Sequence, residues 1–273
     1  MGSPSQHARG LLKKLKISSL PIDPFQIAED MEIVVKEDDC EGYSGMLLVV
    51  NGQAHISVKS TIREHTRKRF TVAHELGHYY IPEHLKGRTF FKCTDKDLDT
   101  YEKGSKEFEA NEFAAELLMP EDIFKKRVKL KDLNYGLLED LTSEFETSLT
   151  ATARRFVELS GDYALVCSEN SCIRWFLKGE DFSFFLRAKG ERLSEDSVAI
   201  DFFRGDELPR SCQTVPGDAW LDDRRLNEDV EISELSIAQP FYNQVLTFLY
   251  YDGEYEEEEG SYGELDGHLR FRK

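Results

Sequence analysis

The sequence predicts an α+β chain in three parts: a helix-rich first part with a small β-sheet over residues 1–120, a helical middle segment over 121–160, and a β-rich α+β C-terminal part over 161–273. Three observations carry this reading. Long runs with apolar residues at helical spacing end at prolines, as before Pro82 and Pro120. Two β-branched runs flank Asn51 and Gly52, the strongest short-range hairpin signal. After Gly161 the pattern changes from helical spacing to strand-like alternation.

Taken in order, Leu11, Leu12 and Leu15 predict a short helix over residues 5–16, which the prolines at 21 and 24 end. A second short helix is expected over 24–30 and an alternating strand over 32–36. The hairpin strands are 43–50 and 54–59. An edge strand of this sheet either borders a site, where it could take an extended peptide by strand addition, or merely covers the next helix. That helix spans 64–81. Gly77 in its interior costs up to ~1 kcal/mol relative to Ala, which suggests a close approach of sheet or substrate. Residues 82–104 read as a polar rim loop with His84 as a solvated histidine. A helix over 105–119 follows, then three more between 121 and 159, including 137–145 and 149–159. Beyond the boundary at 161–162, strands are expected at 163–167, 172–177, 198–203 and 244–251, with 186–193 open. Residues 254–259 read as a solvated acidic loop.

A composition of 40% hydrophobic and 32% charged residues is that of an ordinary globular chain, so disorder is not expected. Of the net charge of −17, most sits in residues 162–273, where 25 acidic face 12 basic side chains. Phosphate backbones repel such a surface, and nucleic acid is not expected as a direct partner. The five cysteines are odd in number and contain no C-x-x-C pair, which fits reduced thiols in a cytoplasm. Cys167 and Cys172 read as small half-buried residues rather than a redox pair. No stretch approaches the ~20 apolar residues of a membrane span. The first twenty residues are too charged for a signal peptide, and Gln6 breaks the myristoylation pattern after Gly2.

Within the 64–81 helix, His74, Glu75 and His78 form an H-E-x-x-H pattern. Four residues make just over one turn, roughly 6 Å of rise, so both histidines share a face and can grip one metal ion. Glu75 lies about 100° from His74 around the helix, beside the metal rather than on it, where a general base for an activated water belongs. Zinc (Zn2+) suits such a site, since imidazole and carboxylate are among its ordinary ligands and a fourth position can stay open. The alternative is a chance match on a buried helix, and a third ligand elsewhere would decide against it.

The 105–119 helix holds four glutamates. At 100° per residue, Glu109, Glu112 and Glu116 fall roughly 140° to 200° from Glu107 and form a charged stripe of the solvent-facing kind. Glu107 sits instead among Ala110, Asn111, Ala114 and Leu118, on the face that must be buried, where a lone carboxylate is costly unless it meets positive charge. Asn111, one turn on, either orients a ligand or is an ordinary helix-edge amide.

The run RFTVAHELGH followed by KEFEANEFAAELLMP resembles the ImmA/IrrE family of zinc metallopeptidases, and the resemblance covers residues 11–159. It implies a zincin-like metallopeptidase domain, with His74, His78 and Glu107 as zinc ligands and Glu75 as the catalytic residue. It also implies a bacterial or mobile-element protein that cleaves a helix-turn-helix repressor and so derepresses stress-response or transfer genes. The segment LLEDLTSEFETSLTATARRFVEL is similar to a helix-turn-helix-like region of some relatives. Arg154 and Arg155 are basic, but Glu139, Asp140, Glu144 and Glu146 precede them, so packing or repressor docking is favoured over DNA binding. Certain relatives carry a sensor-like α+β domain where residues 161–273 stand, but no motif there shows a ligand. The second reading is a non-catalytic metal-binding regulatory module that binds a repressor; an intact Glu75 argues against it. No second electrophile is assignable among Tyr79, Tyr80 and His84.

Overall fold

The computed structural model describes residues 2–39, 41–98, 104–129, 133–222 and 230–251. At the N-terminus, Ser3 accepts a hydrogen bond from the Gln6 amide while the Gln6 side chain takes one from the Ser3 amide, a capping box that starts α1 (Pro4–Leu15). Ala8, Leu11 and Leu12 are its buried face. Asp23 caps α2 (Pro24–Asp30). Glu32 then turns the chain in a left-handed conformation, so β1 (Val34–Asp38) starts two residues later than the alternation suggests.

The first sheet has the order β1-β3-β2-β4. Strands β2 (Gly45–Val50) and β3 (Gln53–Lys59) form the expected hairpin, and its Asn51 and Gly52 both take positive φ, 51° and 81°, as a tight turn of this hand requires. Strand β1 adds in parallel on the far side of β3. Strand β4 (Phe90–Cys93) adds antiparallel to β2 and is an edge. Both β4 and the short α4 (Asp95–Leu98) lie where a loop was expected. Too few apolar positions alternate there to signal a strand; its pairing with β2 makes one.

Helix α3 (His65–Tyr80) packs on this sheet and crosses α5 (Lys106–Leu118). Gly77 marks the crossing. A Cβ there would stand 3.2 Å from the Ala110 Cα and the Phe113 Cβ, so the close approach it allows is that of α5, not of sheet or substrate. The glutamate stripe of α5 also departs from expectation. Glu112 is exposed, but Glu116 is 1% exposed, because arginines from two other helices meet it. The Arg9 Nε donates to it at 2.7 Å, the Arg155 guanidinium donates to its other oxygen, and the Glu121 amide donates at 3.2 Å. Breaking a buried pair by deleting one partner leaves an uncompensated charge and typically costs about 3–5 kcal/mol. Glu116→Ala is expected to lose stability on that scale in denaturant titration, and a loss below about 1 kcal/mol would show that Arg155 is satisfied without it.

Helices α6 (Glu121–Val128), α7 (Tyr135–Phe145) and α8 (Leu149–Ser160) form the helical middle. Neither arginine of α8 forms a free basic face: Arg155 is held by Glu116, and the Arg154 guanidinium lies 4.0 Å over the Trp175 ring.

The second sheet is antiparallel, in the order β6-β5-β9-β8-β7. Strands β5 (Tyr163–Glu169), β6 (Cys172–Lys178) and β9 (Gln244–Tyr250) lie where alternation placed them. Residues 198–203 do not form a strand. They enter α9 (Ala199–Arg204), where the Glu234 carboxylate accepts from the Val198 and Ala199 amides and Gly205 ends the helix at φ 94°. Strands β7 (Gln213–Pro216) and β8 (Glu231–Gln239) escaped the pattern, β8 because it carries the buried Glu234 among its apolar residues. Residues 186–193 contribute only isolated bridges, Leu186 to Leu221 and Arg192 to Cys172. Cys167 and Cys172 face Trp175 and Glu169 across the strands rather than each other. One face of this sheet, with Leu165, Leu235, Leu246 and Phe248, joins the same apolar cluster as Phe156 and Val157 of α8 and the helices of the first part. The acidic run 254–259 lies outside the described residues.

Candidate metal centre

His74, Glu75 and His78 are all fully buried where α3 faces α5 and the first sheet. Ser105 caps α5 by accepting from the Phe108 amide, which fixes the register that brings Glu107 toward the two histidines. His74 Nε2 and His78 Nε2 stand 3.0 Å apart, and Glu107 Oε2 lies 3.1 Å from each. Three acceptor atoms this close repel one another unless a cation or proton sits among them.

The hydrogen bonds behind the rings set their tautomers. Asn111 Nδ2 donates to the Asp97 carbonyl, so its Oδ1 faces His74 and accepts from Nδ1 at 2.8 Å. The His74 Nε2 lone pair is thereby turned toward His78 and Glu107. On the other side, His84 Nε2 donates to Glu109 Oε2 at 2.8 Å, which leaves His84 Nδ1 to accept from His78 Nδ1 at 2.9 Å. The His78 Nε2 lone pair thus joins the same centre. This carboxylate–histidine support is the usual means of orienting a metal-binding imidazole. His84 is therefore not the solvated histidine expected from its polar surroundings; it is fully buried, and Lys106 pins its loop by donating to the Glu83 and His84 carbonyls.

The electrostatics agree with a cation site. Burial pushes the His78 imidazole down to about 4, so it is neutral at pH 7, as a ligand must be. Burial works to raise the Glu107 carboxyl, yet the two imidazoles facing it outweigh this and hold it well below the ordinary carboxylate range. Burial raises the Glu75 carboxyl to about 7, with His74 acting against it. Neither Glu75 oxygen has a hydrogen-bond partner. Its room is made by Gly45 at the start of β2, where a Cβ would stand 2.5 Å from the Glu75 Oε1 and 2.6 Å from the Thr71 Cγ2.

A fourth metal-ligating side chain stands here that spacing could not indicate. Cys93, at the end of β4, places its Sγ 3.5 Å from His78 Nε2 and 3.5 Å from Glu107 Oε2. His74, His78, Cys93 and Glu107 together form a group able to hold a metal ion, the donor atoms all within 4.8 Å of one another. Burial, with the Glu75 and Glu107 carboxylates, pushes the Cys93 thiol well above its ordinary range. Phe91 of the same strand stacks on the His78 ring, centroids 4.1 Å apart. A cleft lined by Gly87 to Lys92 and Glu107 opens beside them, so the edge strand of the sheet does border the site. Tyr80 packs against Phe113 and His7, and Tyr79 against the apolar core, so neither presents itself as a second electrophile.

The four residues singled out in the sequence are thus gathered in one place, and Cys93, His84, Glu109 and Gly45 complete their surroundings. The model of the Peptidase_M78 family, described as an IrrE N-terminal-like domain, matches residues 28–157. Residues 28–157 are thus a domain of the ImmA/IrrE family. The matched stretch runs from within α2 to within α8 and contains the whole centre, while the second sheet lies beyond the match. No curated protein matches the chain. Among the described residues, no helix is long and apolar enough to cross a membrane.

Proposed function

We propose that this chain is a cytoplasmic zinc endopeptidase of the ImmA/IrrE family that cleaves a cognate helix-turn-helix transcriptional repressor and so derepresses stress-response or mobile-element genes. In this reading His74, His78 and Glu107 hold the zinc and Glu75 is the catalytic residue. Residues 1–120 carry the chemistry, 121–160 form the helical segment, and 161–273 recognise substrate or control access. The observation that carries the proposal is the Glu75 carboxylate, fully buried and without a hydrogen-bond partner beside three converging ligand atoms. A structural metal site needs no such group, and the cost of burying it is understandable only if it handles a proton.

When bound, zinc supplies Lewis acidity, polarising a carbonyl oxygen and lowering the pKa of water to roughly 7. The protein groups do the rest. Glu75, raised to about 7, takes a proton from the attacking water and returns it to the leaving amine nitrogen. Asn111 and the His84–Glu109 pair keep both imidazoles in one tautomer. Gly45 leaves the Glu75 carboxylate its space. The edge of β4 offers backbone groups to an extended segment of substrate, which pair with any sequence, so side chains along the cleft are left to select it. The acidic surface and the engaged arginines of α8 favour a protein substrate over nucleic acid.

The test is incubation of the zinc-loaded full chain with the repressor encoded beside it, followed by mass spectrometry of the products. A single cut dependent on zinc is expected; tight binding without cleavage would favour the stoichiometric regulator instead. Gly45→Ala probes the room around the base. The added methyl collides with Glu75 and Thr71, so turnover should fall while zinc content, set by residues on α3 and α5, stays as it was. Full turnover in this variant would show that the Glu75 carboxylate does not need the position it holds.

A further inference from the structure

Cys93 is not one of the residues to which the peptidase reading gives a task, yet it stands among those that have one. Its Sγ is 3.5 Å from both His78 Nε2 and Glu107 Oε2, and the side chain is fully buried. Tetrahedral zinc bonds of about 2.3 Å to sulfur and about 2.0–2.1 Å to nitrogen or oxygen put sulfur about 3.5 Å from each lighter ligand. The same geometry puts nitrogen and oxygen about 3.3 Å apart, close to the 3.0–3.1 Å separations among His74, His78 and Glu107. Sulfur thus has tetrahedral spacing to His78 and Glu107, and all four donor atoms lie within 4.8 Å of one another. The second observation is Glu75, whose fully buried carboxylate lies against the Cys93 thiol. An acceptor and an acid face each other at the one place where the thiol could give up its proton on binding a metal.

We propose that Cys93 is the fourth ligand of the metal held by His74, His78 and Glu107, and that the conformation seen here is a closed, resting form with no position left open for water. This rests on the metal-site reading above and deepens it. Cys93 would bind as the thiolate, its S–H proton passing to the Glu75 carboxylate beside it. Opening requires β4 to carry Cys93 away from the ligands, and β4 is an edge strand, held by pairing to β2 alone in the sheet. A substrate strand adding to its free edge is placed to move it, which couples opening to recognition.

The experiment uses the full chain loaded with cobalt(II) in place of zinc and reads the near-ultraviolet thiolate-to-cobalt charge-transfer band, with the visible bands of cobalt reporting that metal is bound. The wild-type chain should show the band at one cobalt per chain. A variant in which Cys40, Cys167, Cys172 and Cys212 are replaced by serine should keep it. Cys93→Ser and Cys93→Ala should lose it while retaining the visible bands. Visible bands without a thiolate band in the wild type would overturn the fourth ligand and leave the three-ligand site standing, and so would a band that survives in Cys93→Ser. A chain that takes up no cobalt and no zinc would overturn both readings.

Discussion

Glu75→Gln is expected to lower turnover by at least about 10²-fold and to leave metal content nearly unchanged, because transfer by a positioned base is typically worth 10²–10⁴-fold. The amide is close to isosteric with the carboxylate, so His74, His78 and Glu107 keep their places. Stability should hold or rise slightly. The carboxylate has no hydrogen-bond partner to lose, and burial already disfavours its charge, so an uncharged group costs less in the same space. Such a combination, a dead enzyme that is no less stable, is the mark of a group kept for chemistry rather than for the fold. A repressor complex becomes long enough lived to isolate, since binding survives while proton transfer stops. Turnover equal to wild type would remove Glu75 from the mechanism, and loss of metal in this variant would mean that the carboxylate is a ligand instead. Cleavage by neither form, with tight binding by both, would support the regulator.

The parts of this molecule that could be read from the sequence are those whose cause is local. The helices of the first part declare themselves by spacing and by prolines, and the Asn51-Gly52 turn is fixed by the two residues that tolerate positive φ there. Helical angle also separated Glu107 from its three neighbours, since a carboxylate on an apolar face has to be answered by charge. The same angle misjudged Glu116, because nothing local says that Arg9 and Arg155, 107 and 39 residues away, fold back onto it. His84 failed for the same reason: a histidine in a polar stretch looks solvated until Glu109 and Lys106 on α5 are brought against it. Strand β4, and with it Cys93, is made by pairing to β2 rather than by its own four residues. In the C-terminal part, the 198–203 segment reads equally as alternation or as a helical turn, and the Glu234 carboxylate that accepts from its first amides comes from a strand more than thirty positions on.

That distinction between local and assembled features gives a graded expectation for the glutamates of α5, and metal analysis of three alanine variants measures it. Glu107→Ala removes a ligand atom that lies 3.1 Å from both imidazole nitrogens, so zinc occupancy should collapse. Glu109→Ala removes no ligand. It frees His84 Nε2 from its acceptor, so His84 no longer holds one tautomer and His78 Nδ1 loses a fixed partner. Loss of such support typically weakens metal affinity by about 10–100-fold, which shows as partial occupancy at limiting zinc and full occupancy in excess. Glu112→Ala changes an exposed side chain and should bind zinc like the wild type. From helical angle alone, Glu109 and Glu112 belong to one stripe and should behave alike; the hydrogen-bonded chain from Glu109 through His84 to His78 is what separates them. Equal occupancy in the Glu109 and Glu112 variants would mean that His78 holds its orientation without this chain, the stack on Phe91 being then sufficient. Equal loss in all three would reject Glu107 as the third ligand, because no single helical face presents all three carboxylates to one ion.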